Sequence, residues 1–512
     1  MQQVCDLGSP SGPRVKVLQQ LYSSIDEAIA DLFDQCVVEL SLEHISSDLR
    51  SLEHDKCQST TRPEAELLVR TDAALDQTAF LLQAVERYLR LVSSFVLAGH
   101  VGKPSSVPGK LSEAAQALMG QFVHCEQAFV AQQMASTLNS SIPVELQAGV
   151  FVDGWVDTAF YILRQSVSRC ASTYSKMTAA ASLNHIVGLF EDHLQPAFKL
   201  LLQLCSMSAD EVIPELAWVH QEPQLPAEAS LAAAVNNKDG SEKSHDDGPS
   251  ESYSVHAVRS MNSSALVVVF TRQLAQVVSN ELGEIFATQE TPEQNSSGDT
   301  HAQLDPLLTL GIHQLSEAAE ACDALWRGCL RRLVQERLHS QLGIFMHAMR
   351  SSSFNIPSEY YDSVLAKHGL FKLFEDSVLA ESGLEVMVGH LSADAKDAFG
   401  RALSVLLNDA LFEFALGVKC NELGGMYLNR LVADVRAALQ ARGIGKGVRS
   451  TFSRTLQSIA ILCSSSVSEA CQLLFPLPTL TASQVRQLLH HRLDFLAPDV
   501  EHAELGGLNL LT

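Results

Sequence analysis

Lys419-Cys420-Asn421-Glu422-Leu423-Gly424-Gly425, continued by Leu428, Leu431, Val432, Val435 and Leu439, is the stretch that decides the fold class. Its apolar residues return every three or four positions, the period of a helix with one buried face. From Lys419 to Phe495 the pattern reads helix, Gly-Gly break at 424–425, helix, Gly-rich break, helix, Pro-rich break, helix. The last helix opens at Thr481-Ala482-Ser483-Gln484 and is expected to run through Val485 and Leu489 to Phe495. Thr481 and Gln484 have the spacing of a capping box, in which each side chain satisfies the other residue's backbone amide. The stretch contains no catalytic set.

The same period extends outward along the chain. Trp326, Leu330, Val334, Leu338, Leu342 and Phe345 form one stripe, as do Leu403, Leu407, Leu411, Phe414 and Val418. Leu32, Cys36, Leu40, Ile45, Leu49 and Leu52 approximate a third. Period-two alternation is nearly absent, so strands are not expected. No fixed-period repeat appears, which argues against a regular solenoid.

With 512 residues the chain is too long for a single core. Apolar residues make up 46% and aromatics only 6%, a balance that suits helix-on-helix packing better than sheets. Polar breaks fall at Glu53–Ala65, at His100–Lys110 and at Glu222–Ser264, with a further polar insert at Thr288–Thr300. They divide the chain into expected bundles at 1–110, 111–221, 265–420 and 421–512. Segment 222–264, containing Asn236-Asn237-Lys238-Asp239-Gly240, is expected to be a disordered linker.

The formal charge of -23 opposes phosphate backbones and anionic lipid surfaces, so nucleic-acid binding is not expected. Eleven cysteines, an odd number without a Cys-x-x-Cys pair, read as small hydrophobes in a reducing compartment. The sequon at Asn262 then carries no sugar. Met1-Gln2-Gln3-Val4-Cys5-Asp6 has neither a leader pattern nor a glycine at position 2. The most compact apolar run, Ala265–Phe270, is far short of a bilayer span. Membrane association is therefore expected to be peripheral and through partner proteins.

Gly443-Ile444-Gly445-Lys446-Gly447 fails the phosphate-loop spacing and follows a helix, so it reads as a helix C-cap and loop. His185 and His193 lie eight apart, too far for the paired ligands of a helical zinc site. Cys322 and Cys329 share a helix face and read as core. Arg327, Arg331, Arg332 and Arg337 crowd one helix, either as a solvated face or as a docking patch for an acidic partner or lipid head group. No nucleophile elbow or paired carboxylates appear, and no enzyme, cofactor or metal site is expected.

Three colinear stretches carry a resemblance: Val152–Leu194 with Val156-Asp157-Thr158-Ala159-Phe160-Tyr161-Ile162-Leu163-Arg164, Leu365–Arg436 with the Gly424-Gly425 break, and Val448–Asp494 with Phe452-Ser453-Arg454 and the closing helix. Asp72–Ala135 is similar in helix order. In this sequence of elements the chain resembles the fourth subunit of the conserved oligomeric Golgi complex, a vesicle tether. The resemblance implies an all-α, elongated rod of stacked helical bundles. It also implies a structural subunit of a Golgi tether acting in retrograde intra-Golgi transport and in maintenance of Golgi structure and glycosylation. The implied partners are sister subunits and SNARE proteins, at the cytosolic face of the Golgi membrane with a cytosolic pool. The alternative is a helical subunit of another tether, such as an exocyst-like complex, or a generic helical scaffold. Family members begin with a coiled-coil region, and this chain starts well inside that pattern. Where the family places an acid facing the arginine that matches Arg454, this chain has Gln484. Arg454 is therefore expected to dock the last helix onto helix 452–463.

Overall fold

A computed structural model describes residues 13–54, 62–96, 109–139, 142–206, 255–287, 305–367, 369–380, 383–444, 451–473 and 480–501. The described residues are almost entirely helical, and the fold class is all-α. They fall into two compact units that interleave along the chain.

The first unit comprises Met1–Ile142, Gly154–Phe198 and Val268–Cys322. It contains α1 (Pro13–Leu40), α2 (Leu42–His54), α3 (Arg62–Val96), α4 (Lys110–Asn139), α5 (Trp155–Ser172) and α6 (Lys176–Leu189). A π-helical turn, Phe190–Leu194, leads into α7 (Gln195–Ser206). Helix α4 is the centre of this unit, because α1, α2, α3, α5 and α6 all pack on it. Its sequence explains the position: Leu111, Ala115, Leu118, Phe122, Cys125 and Phe129 form one buried stripe, and Val130 and Met134 widen it to one side. An apolar face that wide is covered by more than one neighbouring helix.

The third expected stripe changes face. Ser41 adopts a positive φ of 52° between α1 and α2 and redirects the chain. Ile45 and Leu49 are buried, whereas Leu32 and Cys36 are exposed. Periodicity carried across a break predicted one face where the structure has two.

The second unit comprises Pro143–Asp153, Lys199–Val267 and Asp323–Thr512. Here the structure corrects the expectation of no strands. Pro143–Gln147 (β1) and Val150–Asp153 (β2) form an antiparallel hairpin with Val144 opposite Val152 and Glu145 opposite Phe151. Gly149 turns the hairpin at φ 79°, a region that glycine enters freely. Two strands this short escape a period-two search and depend on other elements for stability.

That support comes from α8 (Val255–Ala287), which corrects a second expectation. The helix includes residues 255–264, the end of the segment read as linker. Ser260, Asn262, Ser263 and Ser264 are polar in composition yet fully buried. Asn262 and Ser263 spend their polarity inside the protein: Asn262 Nδ2 donates to the carbonyls of Phe151 and His390, both at 3.1 Å. Ser263 donates to Asp153 Oδ2 at 2.7 Å and accepts from the Asp153 amide at 2.8 Å. Residues 222–254 and 288–300 lie outside the described residues.

The remaining elements of this unit are α9 (Pro306–Ser351) from Asp323 onward, whose Trp326–Phe345 stripe is buried, and the short α10 (Tyr361–Lys367), α11 (Gly369–Leu373) and α12 (Leu384–Gly389). They are followed by α13 (Ala393–Gly417), α14 (Glu422–Ala441), α15 (Ser453–Cys463), α16 (Val467–Gln472), α17 (Ala482–His490) and α18 (Ala497–Glu501). Helix α15 is the hub and packs on α13, α14 and α17.

Candidate functional site: the buried crossing of the C-terminal helices

The Gly-Gly pair is not a break. It sits in the first turn of α14, after Asn421, whose side chain caps the Gly424 amide at 2.9 Å. A Cβ at Gly424 would overlap the carbonyl oxygen of Phe354, and one at Gly425 would overlap that of Leu462. Glycine is required here by close backbone approach on both sides rather than by turn geometry, since neither residue has a positive φ.

Around this contact three extended residues pair in parallel: Phe354 with Cys420, and Cys420 with Arg492. The Cys420 amide donates to His491 O at 3.1 Å, and its carbonyl accepts from Leu493 N at 2.9 Å. Asn421 adds two bonds to Ile356, accepting from its amide at 3.1 Å and donating to its carbonyl at 2.7 Å. The His491 carbonyl and the Leu493 amide are turned to Cys420 and so leave the helical ladder just past His491, the C-cap; the last long helix ends at His490 rather than at Phe495.

Arg492 fastens the crossing. Its side chain is 0% exposed and lies 4.1 Å above the Phe495 ring. Its Nη1 donates to the carbonyls of Leu462 at 2.9 Å and Ser464 at 2.6 Å, filling the open end of α15. Nε and Nη2 make a two-pronged pair with Asp494, both at 2.9 Å. Asp494 Oδ2 also accepts the Glu422 amide at 3.1 Å, at the start of α14. Partial burial works to raise the Asp494 carboxyl. The Arg492 hydrogen bonds, the Glu422 amide and the Arg492 charge outweigh it and hold the group below its usual range.

The residues singled out in the sequence take the following places. Thr481 and Gln484 form the expected capping box on α17, with Thr481 N donating to Gln484 Oε1 at 3.0 Å and Gln484 N to Thr481 Oγ1 at 3.3 Å. Arg454 is exposed and lies over the Phe412 ring at 4.3 Å, joining α15 to α13. Its contact is therefore with α13; docking of the chain's end onto α15 falls to Arg492. Arg327 pairs with Asp323 on its own helix, and Arg331 is exposed one turn further on. Gly443, at φ 74°, ends α14 as expected, with its amide on Gln440 O at 2.9 Å; Gly445–Ser450 lie outside the described residues.

A last helix running to Phe495 would hold Arg492 within it; in the structure Arg492 lies beyond the helix end at His490. The signal that distinguishes it is local: Arg492, Asp494 and Phe495 crowd just beyond an apolar helix face. A second buried cation, Arg169 in the first unit, was also missed. It pairs with Asp72, with Asp76 at 2.7 Å and with Glu126 at 2.9 Å. Burial pushes the Glu126 carboxyl up, and the Arg169 guanidinium pulls it back. These carboxylates come from α3 and α4 and the arginine from α5, so no sequence spacing reports the cluster.

Neither cluster offers a reacting atom. Arg492 and Arg169 are enclosed by their acceptors. Burial pushes the thiols of Cys125 and Cys420 up to about 12, which keeps them protonated. Among the described residues no group of three His, Cys, Asp or Glu side chains could hold a metal ion. Nor, among them, is any helix long and apolar enough to cross a membrane. What the arrangement does is mechanical: it locks the start of α14, the end of α15 and the chain beyond α17 into one rigid joint. No protein-family model matches this chain, and no curated protein matches it.

Proposed function

We propose that this chain is a structural subunit of a Golgi vesicle tether, working in retrograde intra-Golgi transport through its surfaces. The observation that supports the reading best is the C-terminal joint. Two of the stretches carrying the resemblance, Leu365–Arg436 and Val448–Asp494, hold Gly424 and Gly425, the Arg454–Phe412 contact and the Thr481–Gln484 cap. A tether subunit needs stiff helical bodies with outer ridges that bind partner helices. A joint closed by Arg492 supplies stiffness, and exposed Leu493 and Leu496 beside it are apolar contacts available to a partner. Sister tether subunits and SNARE proteins are the proposed partners, at the cytosolic face of Golgi membranes. Elongated stacking of bundles into a rod belongs to the same proposal.

The test is affinity purification of the tagged full chain combined with imaging. Enrichment of Golgi tether subunits and overlap with Golgi markers is the expected result. Recovery of the subunits of a plasma-membrane tether, with no Golgi overlap, overturns it in favour of an exocyst-like assembly.

A further inference from the structure

Helix α3 has two apolar faces. One carries Thr71, Leu75, Thr78, Leu82 and Val85 and is buried within its unit. Directly opposite, Val69, Phe80 and Leu91 are 72%, 71% and 56% exposed. They recur every eleven residues, three full turns, so the stripe runs nearly straight along the helix for about 33 Å. Exposed Ala73 and Ala84 fill the intervals and leave room for close approach.

The stripe is symmetric about Phe80, and the charges beside it are not. Toward the N-terminus it is flanked by Glu66, Arg70, Asp72 and Asp76; toward the C-terminus by Glu86, Arg87 and Arg90. Asp72 and Asp76 each give one oxygen to Arg169 of their own chain and stay 40% and 60% exposed, so their other oxygens still face the flank. Arg90 is turned inward to Glu86 and to the Tyr174 carbonyl. Arg87 is exposed, with its guanidinium against the Tyr174 ring. We propose that this face pairs with a second copy of the chain, α3 antiparallel to α3, about a two-fold axis at Phe80. In that arrangement Phe80 meets Phe80, Val69 meets Leu91, and Arg87 falls opposite Ala73, between Asp72 and Asp76 of the other copy. A parallel pair would set acidic flank against acidic flank. Self-complementary pairing about a two-fold axis is the usual solution for identical subunits. A seam of this size lies at the small end of stable interfaces, so association depends on concentration. The proposal is independent of the tether reading, because it needs only this helix and its copy.

The test is sedimentation velocity of the full chain over a range of concentrations. A monomer–dimer equilibrium is expected for the parent chain. Phe80→Glu, at an exposed site, abolishes the dimer without changing the far-ultraviolet circular dichroism, and Arg87→Glu weakens it. In a Cys36→Ser background, chosen because Cys36 is exposed, Phe80→Cys incubated with oxidised glutathione forms a covalent dimer through the introduced thiols and releases two reduced glutathiones. Peptide mapping places that bridge at position 80, and the background chain yields no such bridge. A parent chain that stays monomeric overturns the proposal. So does a dimer that survives Phe80→Glu, or one that does not cross-link at position 80.

Discussion

Gly424 and Gly425 are small because two other chain segments already occupy the space a side chain would need. Gly424→Ala and Gly425→Ala each force backbone apart and should cost about 2–3 kcal/mol, read as a lower urea midpoint at unchanged slope. An equal change at Gly120, which has open space around it, should stay well below that. Asp494 makes the joint pH-dependent. Its folded-state pKa lies below the unfolded value of 3.8, so its stabilisation is present above that value and lost as pH falls through the lowered one. Asp494→Asn should therefore be less stable than the parent at neutral pH, and the gap should close below about pH 4. A constant gap across that window would remove Asp494 from the account.

Elements packed together in space set the next scale. Arg169 on α5 gathers carboxylates from α3 and α4. Arg169→Met strands Glu126 without its cation and should cost about 3–5 kcal/mol. Adding Glu126→Leu should recover much of that loss, because two apolar residues need no partner; thermal unfolding of the four variants gives the coupling. Helix α8 teaches the complementary lesson. Ser260, Asn262, Ser263 and Ser264 looked like linker because polar residues usually face water. Asn262 and Ser263 are buried where the hairpin and the His390 turn offer the donors and acceptors they need, and Ser264 faces the Cys205 thiol. Composition cannot report a partner 110 residues away in the chain. The Trp326–Phe345 and Leu403–Val418 stripes were legible because burial of one face leaves a period in the sequence itself.

At the scale of the whole molecule, self-association through α3 has a thermal consequence. Binding that favours the folded state raises the melting temperature with concentration. The parent chain should show that dependence in calorimetry, and Phe80→Glu should not. The sequence by itself determined the all-α class, the main helices and the capping box at Thr481, because each depends on residues a few positions apart. Only the tertiary structure decided why Gly424 and Gly425 must be glycine, where the last long helix stops, and that Arg492, Arg169 and Asn262 are the fastenings. Those features arise where distant segments meet, and a hydrogen bond or overlap between them is set by three-dimensional approach, which leaves no period in the chain.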